Sequence, residues 1–183
     1  MKKAVFLDRD GVIIREVDHI RSVKQLRLLP GAAKAIKKLN RSGFSVVIVC
    51  NQAAVAKNIC SEEQAWEIHR AMISRLKKRG ALIDGAYYCF HHPYAVLAKY
   101  LLQCQCRKPG TGLIKKAARE LDIALDKSFL VGDKTSDILA GKRAGLKTIL
   151  VKTGYAGKDG LHKVKPDFTA RNLGAVVNIL TVA

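Results

Sequence analysis

Acidic side chains are scarce in this 183-residue chain, with 15 Asp and Glu against 33 Lys and Arg and a formal net charge of +18. Such a balance favours anionic partners: nucleic acid, an acidic membrane surface or phosphorylated small molecules. Long apolar runs are also missing, since none approaches the roughly 20 residues of a membrane-spanning helix. The opening Met1-Lys2-Lys3 leads into too few apolar residues before Asp8 to make a secretory signal, so a soluble cytoplasmic protein is expected. Cysteines are few and odd in number, five in all, which argues against a disulfide framework and for reduced thiols or metal ligands. Aromatic residues make up only 6%, a poor supply for a base-stacking surface. There is no fixed-period repeat and no low-complexity segment.

What is present is apolar material in short blocks. Hydrophobic residues reach 49%, enough for one sizeable core, and a single domain over residues 1–183 is expected. Buried-strand patterns run over Ala4-Val5-Phe6-Leu7, Phe44–Val49, Ala86–Cys89, Ser128–Gly132 and Thr148–Val151. Helical patterns alternate with them. One opens after Pro30-Gly31 and closes at Gly43; a second starts at the capping box Ser61-Glu62-Glu63-Gln64. Others cover Gly112–Leu121, Ser136–Ala144 and Leu173–Leu180. Strands alternating with helices predict an α/β fold, a three-layer Rossmann-like parallel sheet with helices on both faces. The basic residues are scattered over these helices, as solvated faces and C-terminal turns would be. Residues 12–29 have mixed periodicity and are read as a flap over a strand end.

Three strands end in polar groups: Asp8 and Asp10, Cys50 and Asn51, Asp133 and Lys134. In extended backbone Asp8 and Asp10 point the same way, and Gly11 lets the chain turn or approach a ligand closely. Taken alone, the pair could equally be a strand cap with two solvated acids. Ligands of open parallel sheets, however, bind beyond the carboxyl ends of strands. Carboxylates with Lys108 and backbone amides suit Mg²⁺ and a phosphoryl group, because that hard ion takes oxygen ligands. A carboxylate nucleophile there can divide one hard displacement into two easier ones. Uncatalysed phosphate-monoester hydrolysis needs enhancements of up to roughly 10²¹-fold, so dense charge is expected.

Asp8-Arg9-Asp10-Gly11-Val12, Lys108 within Cys106-Arg107-Lys108-Pro109, and Gly132-Asp133-Lys134 followed by Asp137 resemble the motifs of the haloacid dehalogenase superfamily of phosphatases. The similarity covers nearly all of residues 4–155, and within the superfamily it is to the heptose-bisphosphate and histidinol phosphatase branch. The resemblance implies Asp8 as nucleophile and Asp10 as acid and base. Asp8, the Asp10 main-chain carbonyl and Asp133 would hold Mg²⁺, and Lys108 would neutralise the phosphoryl group. Arg9, His19, Cys50, Asn51, Gln52, Ala53, Arg107 and Lys134 would contact substrate, and Asp137 would support Lys134 or the outer shell of the metal. The chain departs from the pattern in carrying Cys50 for Thr or Ser, Ala53-Ala54 for Ser-Gly, Asn58 for Gly, Ile14 for Asn and His19 for a frequent Tyr. A thiol is a weaker donor to phosphate than a hydroxyl.

Cys89-Phe90-His91 and Cys104-Gln105-Cys106 bracket a loop, with twelve residues between His91 and Cys104. Three thiolates and an imidazole satisfy tetrahedral Zn²⁺, and four protein ligands make a closed, structural site. The bland alternative is independent small core residues. The resembling phosphatases carry a zinc site of this pattern, which favours Cys89, His91, Cys104 and Cys106 as ligands. Cys106 precedes Arg107 and Lys108, so zinc would fix the loop that delivers both cations. His92 is expected to point elsewhere, and Cys60 to be an idle or buried thiol.

The leading expectation is therefore a monomeric Mg²⁺-dependent phosphatase with a minimal cap, acting on a small phosphorylated sugar through an aspartyl-phosphate. Heptose 1,7-bisphosphate, losing its 7-phosphate, is the first candidate and histidinol phosphate the second. A nucleic-acid 3′-phosphatase ranks third. A non-enzymatic, basic zinc-knuckle RNA-binding module would leave the acidic strand ends unexplained.

Overall fold

The computed structural model describes residues 1–182. Its elements in chain order are β1 (Ala4–Leu7), α1 (Ala32–Arg41), β2 (Ser45–Asn51), α2 (Ala53–Ala56), α3 (Glu62–Lys77), β3 (Gly85–Cys89), α4 (Gly112–Leu121), β4 (Phe129–Gly132), α5 (Thr135–Arg143), β5 (Lys147–Val151), β6 (Phe168–Ala170) and α6 (Leu173–Val182). The strands form one sheet in the order β3-β2-β1-β4-β5-β6, and every pairing is parallel. The predicted α/β architecture is therefore present.

Period-2 alternation divides each strand between two cores. Val5 and Leu7 join Val46, Ile48 and Val131 under Leu39, Ile68, Met72 and Val176. Ala4 and Phe6 face the opposite way with Val47, Val49 and Leu130, covered by Leu113, Ile114 and Ala140. Buried on both faces, the central strands must be apolar at every position, as parallel strands usually are.

Element ends differ slightly from expectation. β2 runs through Cys50 and Asn51 because β3 continues beside it, pairing Cys50 with Tyr88 and Asn51 with Cys89. The short helix α2 and the edge strand β6 have no counterpart in the sequence patterns. Three residues of edge strand carry too little periodicity to register. The predicted capping box is present: Ser61 Oγ accepts from the Gln64 amide at 3.0 Å and Gln64 Oε1 from the Ser61 amide at 2.8 Å.

From β1 the chain lays strands outward in one direction through β3, then returns to the other side for β4, β5 and β6. The switch point lies between β1 and β4, where the crevice of an open α/β sheet binds its ligand.

Candidate active site and candidate metal centre

Asp8 and Asp133 are the first residues past β1 and β4, and the Asp8 amide still donates to Val131 O at 3.0 Å. Adjacent parallel strands thus bring their two carboxylates to one spot, with Asp137 from the first turn of α5. One oxygen of each lies within 4.8 Å of the others, and all three residues are buried. Lys108 reaches in from the loop before α4. Its Nζ lies 3.0 Å from Asp8 Oδ1 and 2.7 Å from Asp137 Oδ1, and donates to Val49 O at 2.7 Å. Burial opposes the lysine's charge, but Asp137 and Asp8 outweigh it and hold Lys108 above the usual lysine range.

One lysine cannot balance three buried carboxylates. Asp133 Oδ2 accepts from the Tyr155 amide at 2.8 Å, whereas Asp133 Oδ1 has no partner. Asp8 Oδ1 is near Lys108 but without hydrogen-bond alignment, so it too is unsatisfied. Orphaned buried oxygens of this kind are costly. Burial first, then the Asp8 and Asp137 charges, push the Asp133 carboxyl up to about 8. A hard divalent cation would satisfy both oxygens and the surplus charge, so the residues fit Mg²⁺. Gly11 and Gly154, both at positive φ, pass so close to Asp133 that a Cβ on either would strike its carboxylate. These two glycines close the cradle.

The site opens into a cleft of about 470 Å³ whose lining includes Asp8, Asp10, Lys108, Lys134 and Asp137. The expected contacts His19, Asn51, Gln52, Ala53 and Arg107 line it as well. Asn51 is tied to the Lys108 backbone, donating to its carbonyl and accepting from its amide, each at 2.9 Å. It therefore holds the lysine loop. Asp137 also accepts from the Lys134 amide at 3.1 Å, the support expected of it.

Two expectations need correction. Arg9 does not face the cleft; its side chain has no exposed surface and turns to Asp10. The Cys50 thiol is almost fully buried and points at Asp10 Oδ2, 3.8 Å away, outside the cleft lining. His92 lies outside the Cys/His cluster, as expected, and lines the cleft instead. The Asp10 carboxylate is not part of the buried acidic cluster, which leaves only its main chain for metal.

Other lining residues carried no sequence motif: Glu16 and Asp18 from the flap, Lys57 after α2, and Tyr155, Asp159 and His162 after β5. Glu16 sits 3.5 Å from Lys134 Nζ, and Lys57 Nζ 3.2 Å from His19 Nε2. The closely spaced Gly154, Gly157 and Gly160 were the available signal for a tight loop after β5.

The second cluster is Cys89, His91, Cys104 and Cys106. Its sulfurs are 2.8, 3.0 and 3.4 Å apart, too far for a disulfide, and His91 Nδ1 lies 3.4 Å from Cys106 Sγ and 3.8 Å from Cys89 Sγ. Ligand arms of about 2.3 Å in a tetrahedron give edges of about 3.7 Å, so the sulfurs sit closer than zinc would hold them, but the four donor atoms already converge within 4.8 Å of one another. Burial raises the Cys104 thiol, but hydrogen bonds led by that from Cys106 and the Arg107 backbone bring it to about 7. Arg107 Nη1 in turn donates to His91 O at 3.2 Å, which links the cluster to the cleft.

A family model described as "HAD-hyrolase-like" matches residues 105–176. A D-glycero-beta-D-manno-heptose-1,7-bisphosphate 7-phosphatase of Pasteurella multocida is 41% identical over 155 residues, 84% of this chain and 84% of the relative. A D-glycero-alpha-D-manno-heptose-1,7-bisphosphate 7-phosphatase of Photorhabdus laumondii is 37% identical over 84% of both chains. Among solved structures, the D,D-heptose 1,7-bisphosphate phosphatase of B. bronchiseptica, complexed with magnesium and phosphate, superposes with a TM-score of 0.87. It is 31% identical and covers 99% of each chain.

Proposed function

This chain belongs to the haloacid dehalogenase-like heptose-1,7-bisphosphate 7-phosphatases, and from that premise we propose that it removes the 7-phosphate of heptose 1,7-bisphosphate with Mg²⁺. It is a phosphoric monoester hydrolase. The observation that carries the reading is the pair of unsatisfied buried oxygens, Asp8 Oδ1 and Asp133 Oδ1, beside Lys108.

Asp8 would attack phosphorus, breaking the bond to the sugar oxygen, while Asp10 gives that oxygen its proton. The resulting aspartyl-phosphate would be cleaved by water that loses its proton to Asp10, releasing inorganic phosphate and restoring both acids. Lys108 would bear on the non-bridging oxygens, where charge gathers. Asp8, Asp133 and the Asp10 carbonyl would hold Mg²⁺, whose chemistry is to neutralise charge on the phosphoryl group. His19, Lys57, Arg107 and Lys134 bring positive or titratable groups to a cleft that must hold a doubly phosphorylated sugar. Glu16 and Asp18 offer acceptors to its hydroxyls.

Zn²⁺ at Cys89, His91, Cys104 and Cys106 would be structural, and through Arg107 would fix the loop leading to Lys108. No helix among the described residues is long and apolar enough to cross a membrane. A panel of both heptose 1,7-bisphosphate anomers, histidinol phosphate and a 3′-phosphorylated oligonucleotide tests the substrate. Higher kcat/KM on either of the last two than on the heptose bisphosphates would overturn it.

A further inference from the structure

Arg9 is the largest fully buried side chain, an uncommon place for a group that stays charged. Its guanidinium forks onto its neighbour: Nε donates to Asp10 Oδ2 at 3.1 Å, and Nη2 lies 3.1 Å from Oδ1 and 2.8 Å from Oδ2. With the Gln52 amide turned so that its oxygen faces the arginine, Gln52 accepts from Nη1 at 3.0 Å and Nη2 at 2.7 Å. The Tyr88 ring lies 5.9 Å from the guanidinium carbon, and Tyr88 is set by His69, whose Nδ1 is 2.9 Å from its hydroxyl. Trp66 packs edge-on against both. Asp10 keeps 16% of its side chain exposed and lines the cleft, as Gln52 does, whereas Arg9 behind it has no exposed surface.

The geometry points to Arg9 as a positioning residue, one that never touches substrate but fixes the Asp10 carboxylate from behind through the Gln52–Arg9–Tyr88–His69 assembly. The inference rests on the phosphatase reading and assigns the buried arginine a task there. A planar fork fixes both oxygens of a carboxylate, which a lysine point charge cannot do. Proton delivery from Asp10 to the departing oxygen depends on that orientation, and misplacement near 1 Å can cost about 10²-fold.

The chemistry provides its own control. A sugar alkoxide must be protonated as it leaves, whereas p-nitrophenolate leaves well unprotonated. With Mg²⁺-loaded protein, Arg9→Lys should lower the single-turnover cleavage rate of the heptose bisphosphate about 10²-fold, with KM within about threefold. The burst of p-nitrophenolate from p-nitrophenyl phosphate should stay within about threefold of the wild-type rate. Tyr88→Leu, which keeps the arginine but removes its ring support, should give the same leaving-group bias at about 3- to 10-fold, and decides the matter should Arg9→Lys not fold. Equal losses on the two esters, a rise in KM with unchanged kcat, or no loss would each overturn the inference. A wild-type protein that cleaves neither ester would instead overturn the phosphatase reading.

Discussion

The two ligand clusters of this protein are built in opposite ways. Asp8, Asp133 and Asp137 stand on the ends of β1 and β4 and the start of α5, rooted in both layers of the core. Cys89 ends β3 and packs with Cys104 and Cys106 against the core of Phe6, Val47 and Val49, but the loop that these residues and His91 close has only a small cluster of its own, around Ala54, Val55 and Tyr100. That loop exposes Tyr94, Val96, Leu101 and Leu102 to solvent. At the strand ends the fold forces like charges together, at a cost in stability that function exploits. In the loop the side chains must supply the order that packing does not. Metal would therefore be an electrostatic complement in one place and a structural element in the other.

The largest test of this contrast is Asp8→Asn. Turnover should fall by about 10⁴-fold or more, as when a nucleophile is removed. The melting temperature of the metal-free protein should stay level or rise, because one of three buried like charges is gone. A clear loss of stability would mean that Asp8 serves the fold.

Next comes the loop. Cys104→Ser, or zinc removal by a chelator, should lower activity about 10²-fold by loosening Arg107 and Lys108. The main unfolding transition should move little, and hydrogen exchange should quicken within 89–106 alone. Exchange rising throughout the sheet would break the contrast, whereas full activity without zinc would uncouple the loop from catalysis.

Cys50→Thr probes the boundary of the catalytic cluster. A hydroxyl would make a stronger bond than the thiol that reaches Asp10 at 3.8 Å. The change in kcat should stay within one hydrogen bond's net worth, about 0.5–1.5 kcal/mol, and be an increase. A larger loss would show that the pocket is shaped to sulfur.

The smallest effect lies away from both clusters. Asp167 accepts from the Thr148 amide and hydroxyl at 2.8 and 2.7 Å and from Lys142 at 2.9 Å, beside β5. Burial raises its carboxyl, but these bonds outweigh burial and lower it to about 2. Since that lies below the unfolded value of about 3.9, its contribution is complete above pH 4 and is lost as pH falls through about 2. Asp167→Asn should remove that part of the acid dependence, at most about 1 kcal/mol because the pair is half exposed and screened. An unchanged acid profile would refute the assignment.

The acidic strand ends were legible because an apolar strand followed by Asp8, or by Asp133, is a local pattern. The cysteine pairs were legible because chelate spacing is local as well. The role of Arg9 was not, since a residue between two aspartates looks as exposed as they are. Only the packing of Tyr88 from β3 and Gln52 after β2 reveals a buried arginine. That His92 would line the cleft was not legible either, since its place depends on how the 89–106 loop folds.

By itself, then, the sequence determined the alternation of strands and helices, the two acidic strand ends and the two candidate metal-ligand sets, all of which rest on periodicity and near-neighbour spacing. The tertiary structure decided which carboxylate oxygens are left without partners, which way Arg9 and Cys50 face, and which flap and loop residues line the cleft. Those outcomes depend on contacts between segments distant in sequence, and such contacts leave no periodic trace along the chain.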